Sequence, residues 1–122
     1  SELYRMPQAA LDGIKTDLIR EAFRFHYENN RYYREACLAR ALSPEDIRSA
    51  ADLVRIPLIP IAKFRSNTSH ELLSKPLNAI EHEMRSTGTS GIPSISRRCA
   101  RTVDLSITAI YAMYREFFGF FK

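Results

Sequence analysis

The chain has 122 residues with no tryptophan, only two cysteines and only four glycines. No apolar run approaches the ~20 residues that a membrane-spanning helix needs. Cys37 and Cys99 are too few and too far apart for a disulfide framework or a metal-binding spacing, so two reduced thiols are expected. His26 has no carboxylate or second ligand at metal spacing, and neither Lys63 nor His70 carries a partner signature, so none of the three is assigned chemistry. Blocks of like charge are also missing. The formal charge of +4 comes from arginines and lysines that alternate with acids, and only Arg97, Arg98 and Arg101 form a local cluster. Dispersed arginines read as a solvated helical face with i, i+4 partners, and nucleic-acid binding is not expected. The start, Ser1-Glu2-Leu3-Tyr4-Arg5, lacks the charged-then-apolar pattern of a secretion signal, which points to the cytoplasm.

What is present is a globular composition, 45% hydrophobic and 26% charged, of a length for at most one domain. Residues 8–29 carry Leu11, Ile14, Leu18, Ala22 and Phe25 at spacings of three and four, the stripe of an amphipathic helix with that face on the core. After Asn29-Asn30, the run of Tyr32, Tyr33, Ala36, Cys37 and Leu38 predicts a second helix to about Ala41, with Cys37 an inert core thiol. Ser43-Pro44-Glu45-Asp46 and Ser49-Ala50-Ala51-Asp52 both read as helix starts: a serine cap with acids near the positive end. Pro57 and Pro60 hold the chain extended. Residues 61–65 suit one helical turn, and Leu72, Leu73 and Leu77 are expected to return to the core. From 102 a last helix is expected, with Thr102 as its cap, Asp104 in its first turn, and Val103, Ile107, Ile110, Tyr111, Tyr114, Phe117 and Phe118 on one stripe.

Between these helical parts lies Met84-Arg85-Ser86-Thr87-Gly88-Thr89-Ser90-Gly91-Ile92-Pro93-Ser94, with four hydroxyl side chains between Arg85 and Gly91. The alternation of residues 79–84 before it, and Ile95 and Ser96 after it, predict a hairpin whose tip is backbone N–H and hydroxyl. Such a tip suits anionic oxygens, phosphate above all, because glycine lets the backbone turn inward and hydroxyls donate without bulk. Ser/Thr/Gly clusters also make ordinary turns, and the residues alone leave both readings open. The nucleotide loop G-x-x-x-x-G-K-S/T does not fit, since Gly88 and Gly91 are too close and no lysine follows; G-x-G-x-x-G does not fit either.

Residues 86–94 do resemble the phosphate-binding motif of the adenylate-forming superfamily: two Ser/Thr, Gly, Thr, Ser/Thr, Gly, any residue, Pro. Here these are Ser86, Thr87, Gly88, Thr89, Ser90, Gly91, Ile92 and Pro93. Many members carry a lysine beside the proline, where this chain has Ile92 and Ser94; Arg85, Arg97 and Arg98 are the cations at hand to replace it. Upstream, Asn30, Tyr33 and Arg34 match an "N-x-x-Y-R" helix, and Asp52-Leu53-Val54-Arg55-Ile56-Pro57 matches "D-L-x-x-I-P". These follow in the order seen in phenylacetate-CoA ligase-like and LuxE-type acyl-protein synthetase chains. Ser94-Ile95-Ser96-Arg97 is similar to the continuation in the acyl-protein synthetase branch.

The resemblance implies the N-terminal part of a longer ATP-dependent enzyme. Its activity would join a carboxylic acid, fatty acids included, to AMP with release of pyrophosphate, then pass the acyl group to a thiol acceptor. ATP and Mg²⁺ are the implied cofactors. Ser86, Thr87, Gly88, Thr89, Ser90 and Gly91 would hold the phosphates, with no catalytic or metal-ligating residue assigned, and neither cysteine matches the family's acyl acceptor. The expected architecture is an α+β piece of a larger α/β domain: helical over 1–78, hairpin and loop over 79–99, helix over 102–118. Phe117, Phe118, Phe120 and Phe121 crowd the end, so the chain is expected to stop where its parent continues, and self-association through residues 107–121 is also expected. These residues alone are not expected to turn over ATP. The competing reading is a non-catalytic, mostly helical binding module whose loop contacts an anion or a partner protein.

Overall fold

The computed structural model describes residues 5–65, 69–87 and 91–119. It is α+β, as expected, with four helices and one two-stranded antiparallel hairpin among the described residues. The Pro7 carbonyl accepts from the amides of Ala10 and Leu11 at 3.0 and 3.1 Å and so starts α1, Gln8–Asn29. Asn30 then leaves the helical region at φ −127° and ψ 110°, while its amide still donates to the His26 carbonyl at 2.9 Å. The same residue starts α2, Arg31–Leu38, since its Oδ1 accepts from the Tyr33 amide at 2.8 Å. One asparagine therefore closes one helix and opens the next.

This corner explains the N-x-x-Y-R pattern in physical terms. Asn30 is buried, and its Nδ2 donates to the Glu71 carbonyl at 3.2 Å. Arg34 folds back to cap the end of α1, donating from Nε to the Tyr27 carbonyl at 2.8 Å and from a terminal nitrogen to the Glu28 carbonyl. Those are carbonyls that a helix end leaves without intrahelical partners. Tyr33 meets the Phe23 ring edge-on at 6.0 Å, and Tyr27 does the same at 6.1 Å. Burial pushes the Tyr33 hydroxyl up to about 12.

Phe23, Cys37, Leu42 and Ile47 form the buried core, with Tyr27, Tyr33, Leu53 and Ile56 packed against it. Cys37 is fully buried, and burial pushes its thiol up, as an inert core cysteine requires. The expected core stripe of α1 is not the one used. Ile14, Leu18 and Phe25 are exposed, and the buried positions of the helix are Thr16 and Phe23. The edge-on ring contacts at Phe23 select a face rotated from the aliphatic stripe.

α2 ends at Leu38, short of Ala41, because the chain reverses there: the Leu42 amide donates to the Cys37 carbonyl at 3.1 Å, with Ala41 at φ 48°. The two serine-led starts hold, as 3-10 turns Pro44–Asp46 and Ala50–Arg55. In each, one carboxylate oxygen accepts from both the amide and the hydroxyl of the serine: Asp46 from Ser43 at 2.8 Å each, Asp52 from Ser49 at 2.8 and 2.9 Å. Pro57 is buried, and α3, Ile61–Phe64, is a single turn. Lys63 does have partners: its ammonium lies 3.0 Å from Glu71 and 4.6 Å from the centroid of Tyr32. Leu72 and Leu73 are half-buried, but Leu77 is 65% exposed, in a 3-10 turn Leu77–Ala79 that delays the first strand to residue 82.

β1, His82–Arg85, pairs with β2, Ile95–Arg98, in the register His82 with Arg98, Glu83 with Arg97, Met84 with Ser96 and Arg85 with Ile95. α4, Ala100–Phe118, follows after one residue. It starts two residues earlier than expected. Cys99, not Thr102, holds the cap position, with its carbonyl accepting from the amides of Thr102 and Val103 at 3.0 and 3.3 Å, and Asp104 falls beyond the first turn. Val103 is half-buried, while Ile107, Ile110, Tyr111, Tyr114, Phe117 and Phe118 are exposed. Phe120 and Phe121 lie outside the described residues.

Candidate phosphate site at the hairpin

The strands stop where a Ser-Ser pair closes the loop. The Ser86 amide donates to the Ser94 carbonyl at 3.0 Å, and the Ser94 amide donates to Ser86 Oγ at 2.9 Å. Ser86 Oγ thus accepts from the backbone, and its own hydroxyl proton stays available for a further acceptor. At the other end of the ribbon the Glu81 amide donates to the Arg98 carbonyl at 3.1 Å. Ser86, Thr87 and Gly91 are exposed, and Pro93 and Ser94 half-buried. Gly91 takes φ +113°, a conformation that side chains resist, yet a Cβ built there would meet nothing within 4 Å. Backbone conformation, with open space beside it, is what calls for glycine at this position. Gly88, Thr89 and Ser90 lie outside the described residues.

Of the three arginines available to replace the missing loop lysine, two converge and one does not. Strand alternation places Glu83, Arg85, Ile95 and Arg97 on one face of the ribbon and His82, Met84, Ser96 and Arg98 on the other. On the first face one carboxylate holds both cations. Glu83 Oε1 accepts from Arg85 Nε and a terminal nitrogen at 2.9 and 2.7 Å, and Oε2 accepts from Arg97 Nε at 3.0 Å. These bonds to Arg85, followed by the charges of both arginines, hold the Glu83 carboxyl below the usual glutamate range. On the second face Arg98 donates to Ser106 Oγ of α4 at 3.1 Å, which ties the helix to the hairpin. Glu83 has no place in the loop motif. Its signal was nonetheless present, as an acid two residues before Arg85 on a strand, where side chains i and i+2 share a face.

The start of α4 does not serve the loop. Residues 95–98 run extended between the two, and at ~3.3 Å per residue Ser94 is about 16 Å along the strand from the cap residue Cys99. A helix terminus acts within roughly its first turn. The start of α4 instead meets α1 at a cleft of about 150 Å³ whose lining includes His26, Lys75, Arg98, Cys99 and Thr102. There His26 Nδ1 pairs with Ser74 Oγ at 2.7 Å, and burial lowers the imidazole. Cys99 lies 3.4 Å from Thr102 Oγ1; the hydrogen bonds from Thr102, with Lys75 nearby, lower its thiol. Among the described residues no group of three or more His, Cys, Asp or Glu could hold a metal ion, and no helix is long and apolar enough to cross a membrane.

Comparison with known proteins agrees with the family resemblance. The family model for LuxE acyl-protein synthetases matches residues 6–122. The chain is 36% identical over 91 residues to the long-chain-fatty-acid–luciferin-component ligase of Vibrio harveyi, and 26% identical over 103 residues to a phenylacetate-coenzyme A ligase of Aromatoleum evansii. Those matches take in 75% and 84% of this chain but only 22% and 23% of the relatives' own length. A ligase of the first kind from Photorhabdus luminescens is 33% identical over 83 residues, 68% of this chain and 66% of that relative. On the strength of the family match over nearly its whole length, the chain belongs to the LuxE acyl-protein synthetase family.

Proposed function

We propose that this chain is the N-terminal, phosphate-holding part of an ATP-dependent carboxylate-activating enzyme of the acyl-protein synthetase type. The observation that carries the reading is the hairpin. Its Ser86–Ser94 closure holds the two ends of a Ser/Thr/Gly loop together at the end of a ribbon, and Ser86, Thr87 and Gly91 are exposed, with Gly91 in a conformation suited to glycine. Family membership supports the same reading, since the relatives are ligases by name.

The residues fit ATP phosphates by chemistry as well as by motif. Ser86 and Thr87 offer neutral hydroxyl donors, and Gly91 leaves room beside the backbone that a side chain would fill. Ser86, Thr87, Gly88, Thr89, Ser90 and Gly91 bind the β- and γ-phosphates. Hydroxyls and amides fixed before the reaction stabilise charge on the departing pyrophosphate without reorganising. The acid's carboxylate would attack the α-phosphorus of ATP, forming an acyl-adenylate as the bond to pyrophosphate breaks, and a thiolate would then take the acyl group with release of AMP. Mg²⁺, when bound, would offset phosphate charge, and no residue of this chain is assigned to it. Pro93, half-buried after the loop, limits how the returning strand can move.

ATP–pyrophosphate exchange by the complete enzyme, with candidate fatty and aromatic acids, tests the reading. A variant carrying Thr89→Ala and Gly91→Ala is expected to lose on the order of 10²-fold in exchange, the scale of removing a preorganised donor. Undiminished exchange would take the loop out of the mechanism.

A further inference from the structure

We propose that Arg85 supplies the cation that the loop lacks beside Pro93, and that Glu83 holds it in reserve until a polyphosphate takes it. The inference rests on the phosphate-loop reading and deepens it.

Arg85 directly precedes Ser86, so its side chain begins at the mouth of the loop, and it lies on the same face as Glu83 and Arg97. The guanidinium fork that now grips Glu83 Oε1 through two nitrogens is the group that grips phosphate oxygens in the same bidentate manner. Glu83 is thus a built-in monoanion standing where a more highly charged guest can compete. The exchange is easy on one side and guarded on the other. The Arg85 side chain is 65% exposed, and an ion pair this open is held weakly. Arg97 is only 17% exposed and binds the second oxygen, Oε2, from the facing strand position. When Arg85 leaves, the Glu83 carboxylate keeps a cation. Arg98 cannot substitute for Arg85, because it lies on the opposite face and donates to Ser106.

The arrangement predicts effects of opposite sign from two neighbouring residues. Calorimetric titration of the complete enzyme with inorganic tripolyphosphate reads them directly. Arg85→Ala is expected to weaken binding about tenfold, the scale of one charge-assisted contact, with Arg85→Lys recovering part of it. Glu83→Gln, which removes the competing anion but keeps the shape, is expected to tighten binding about threefold, in keeping with a weak exposed pair. A purely structural Glu83 would give weaker binding on the same substitution. The Thr89→Ala, Gly91→Ala variant separates the two ideas. If tripolyphosphate binding depends on the loop while Arg85→Ala changes nothing, or Glu83→Gln fails to tighten it, the reserve-cation inference is overturned and the phosphate loop stands. If the unaltered enzyme does not bind tripolyphosphate, both fall.

Discussion

Two cysteines of the same chain live under opposite conditions. Cys37 is enclosed by the core, and its thiol is pushed up; Cys99 sits half-buried at the cap of α4, its thiol lowered by hydrogen bonding to Thr102. Thiolate is the reacting form, so at pH 8 a disulfide reagent should modify one equivalent of thiol quickly and the second only on unfolding. Cys99→Ser should abolish the fast phase; a fast phase that survives would show that the core opens at Cys37. The sequence pattern was enough to place Cys37 inside, because it falls in a short helical run of apolar and aromatic residues. The setting of Cys99 was not legible, since it depends on α4 starting at Ala100 and so bringing Thr102 back over the cap. Glu83 was missed for a related reason. Its importance lies in a cross-strand register with Arg97, fourteen positions away, that only pairing reveals.

Elements were legible in kind and period, less so in phase. α1 occupies the residues expected, Gln8–Asn29, but buries Thr16 and Phe23 where Ile14 and Leu18 were expected, because aromatic edge contacts outbid an aliphatic stripe for the core. The serine-led turns were legible because their caps are local: the chemistry lies within three residues. They also give the molecule an acid weakness. The Asp46 and Asp52 carboxyls are both held below the usual aspartate range, first by hydrogen bonds from Ser43 and Ser49 respectively. A carboxyl lowered on folding stabilises the fold fully above its unfolded value and loses that contribution as pH falls through the folded one. His26, lowered by burial, acts in the same sense from about its ordinary 6.5 downward. Thermal midpoints should therefore begin to fall below about pH 6.5 and fall further below about pH 4, and Asp46→Asn with Asp52→Asn should lower the midpoint at pH 7 while flattening the second decline. An unchanged acid limb would mean that the two caps are not what fails.

Across the whole molecule, the described residues that are buried all fall between Thr16 and Pro57, while the candidate phosphate site and the exposed aromatic stripe of α4 come later. That stripe carries Ile107, Ile110, Tyr111, Tyr114 and Phe117, each at least 41% exposed, an apolar surface larger than single scattered side chains make. The isolated chain is expected to associate with itself there. Light scattering at high concentration should give a mass above the monomer, returned to monomer by Ile110→Lys with Tyr114→Lys; a monomer at every concentration would remove this face as a contact. The α+β class and the order of elements were legible from pattern. Which apolar stripes end up covered was not, since periodicity shows that a helix has an apolar side without showing what lies against it.

The separation of buried interior from loop has a practical corollary. Because Arg85, Ser86 and Thr87, the described side chains proposed to grip phosphate, are all exposed and outside the buried core, they can be exchanged with little risk of collapse. Most enzymes force a compromise between altering chemistry and keeping the scaffold upright; here each change at the ribbon's end should register almost entirely as a change in what the ribbon can hold.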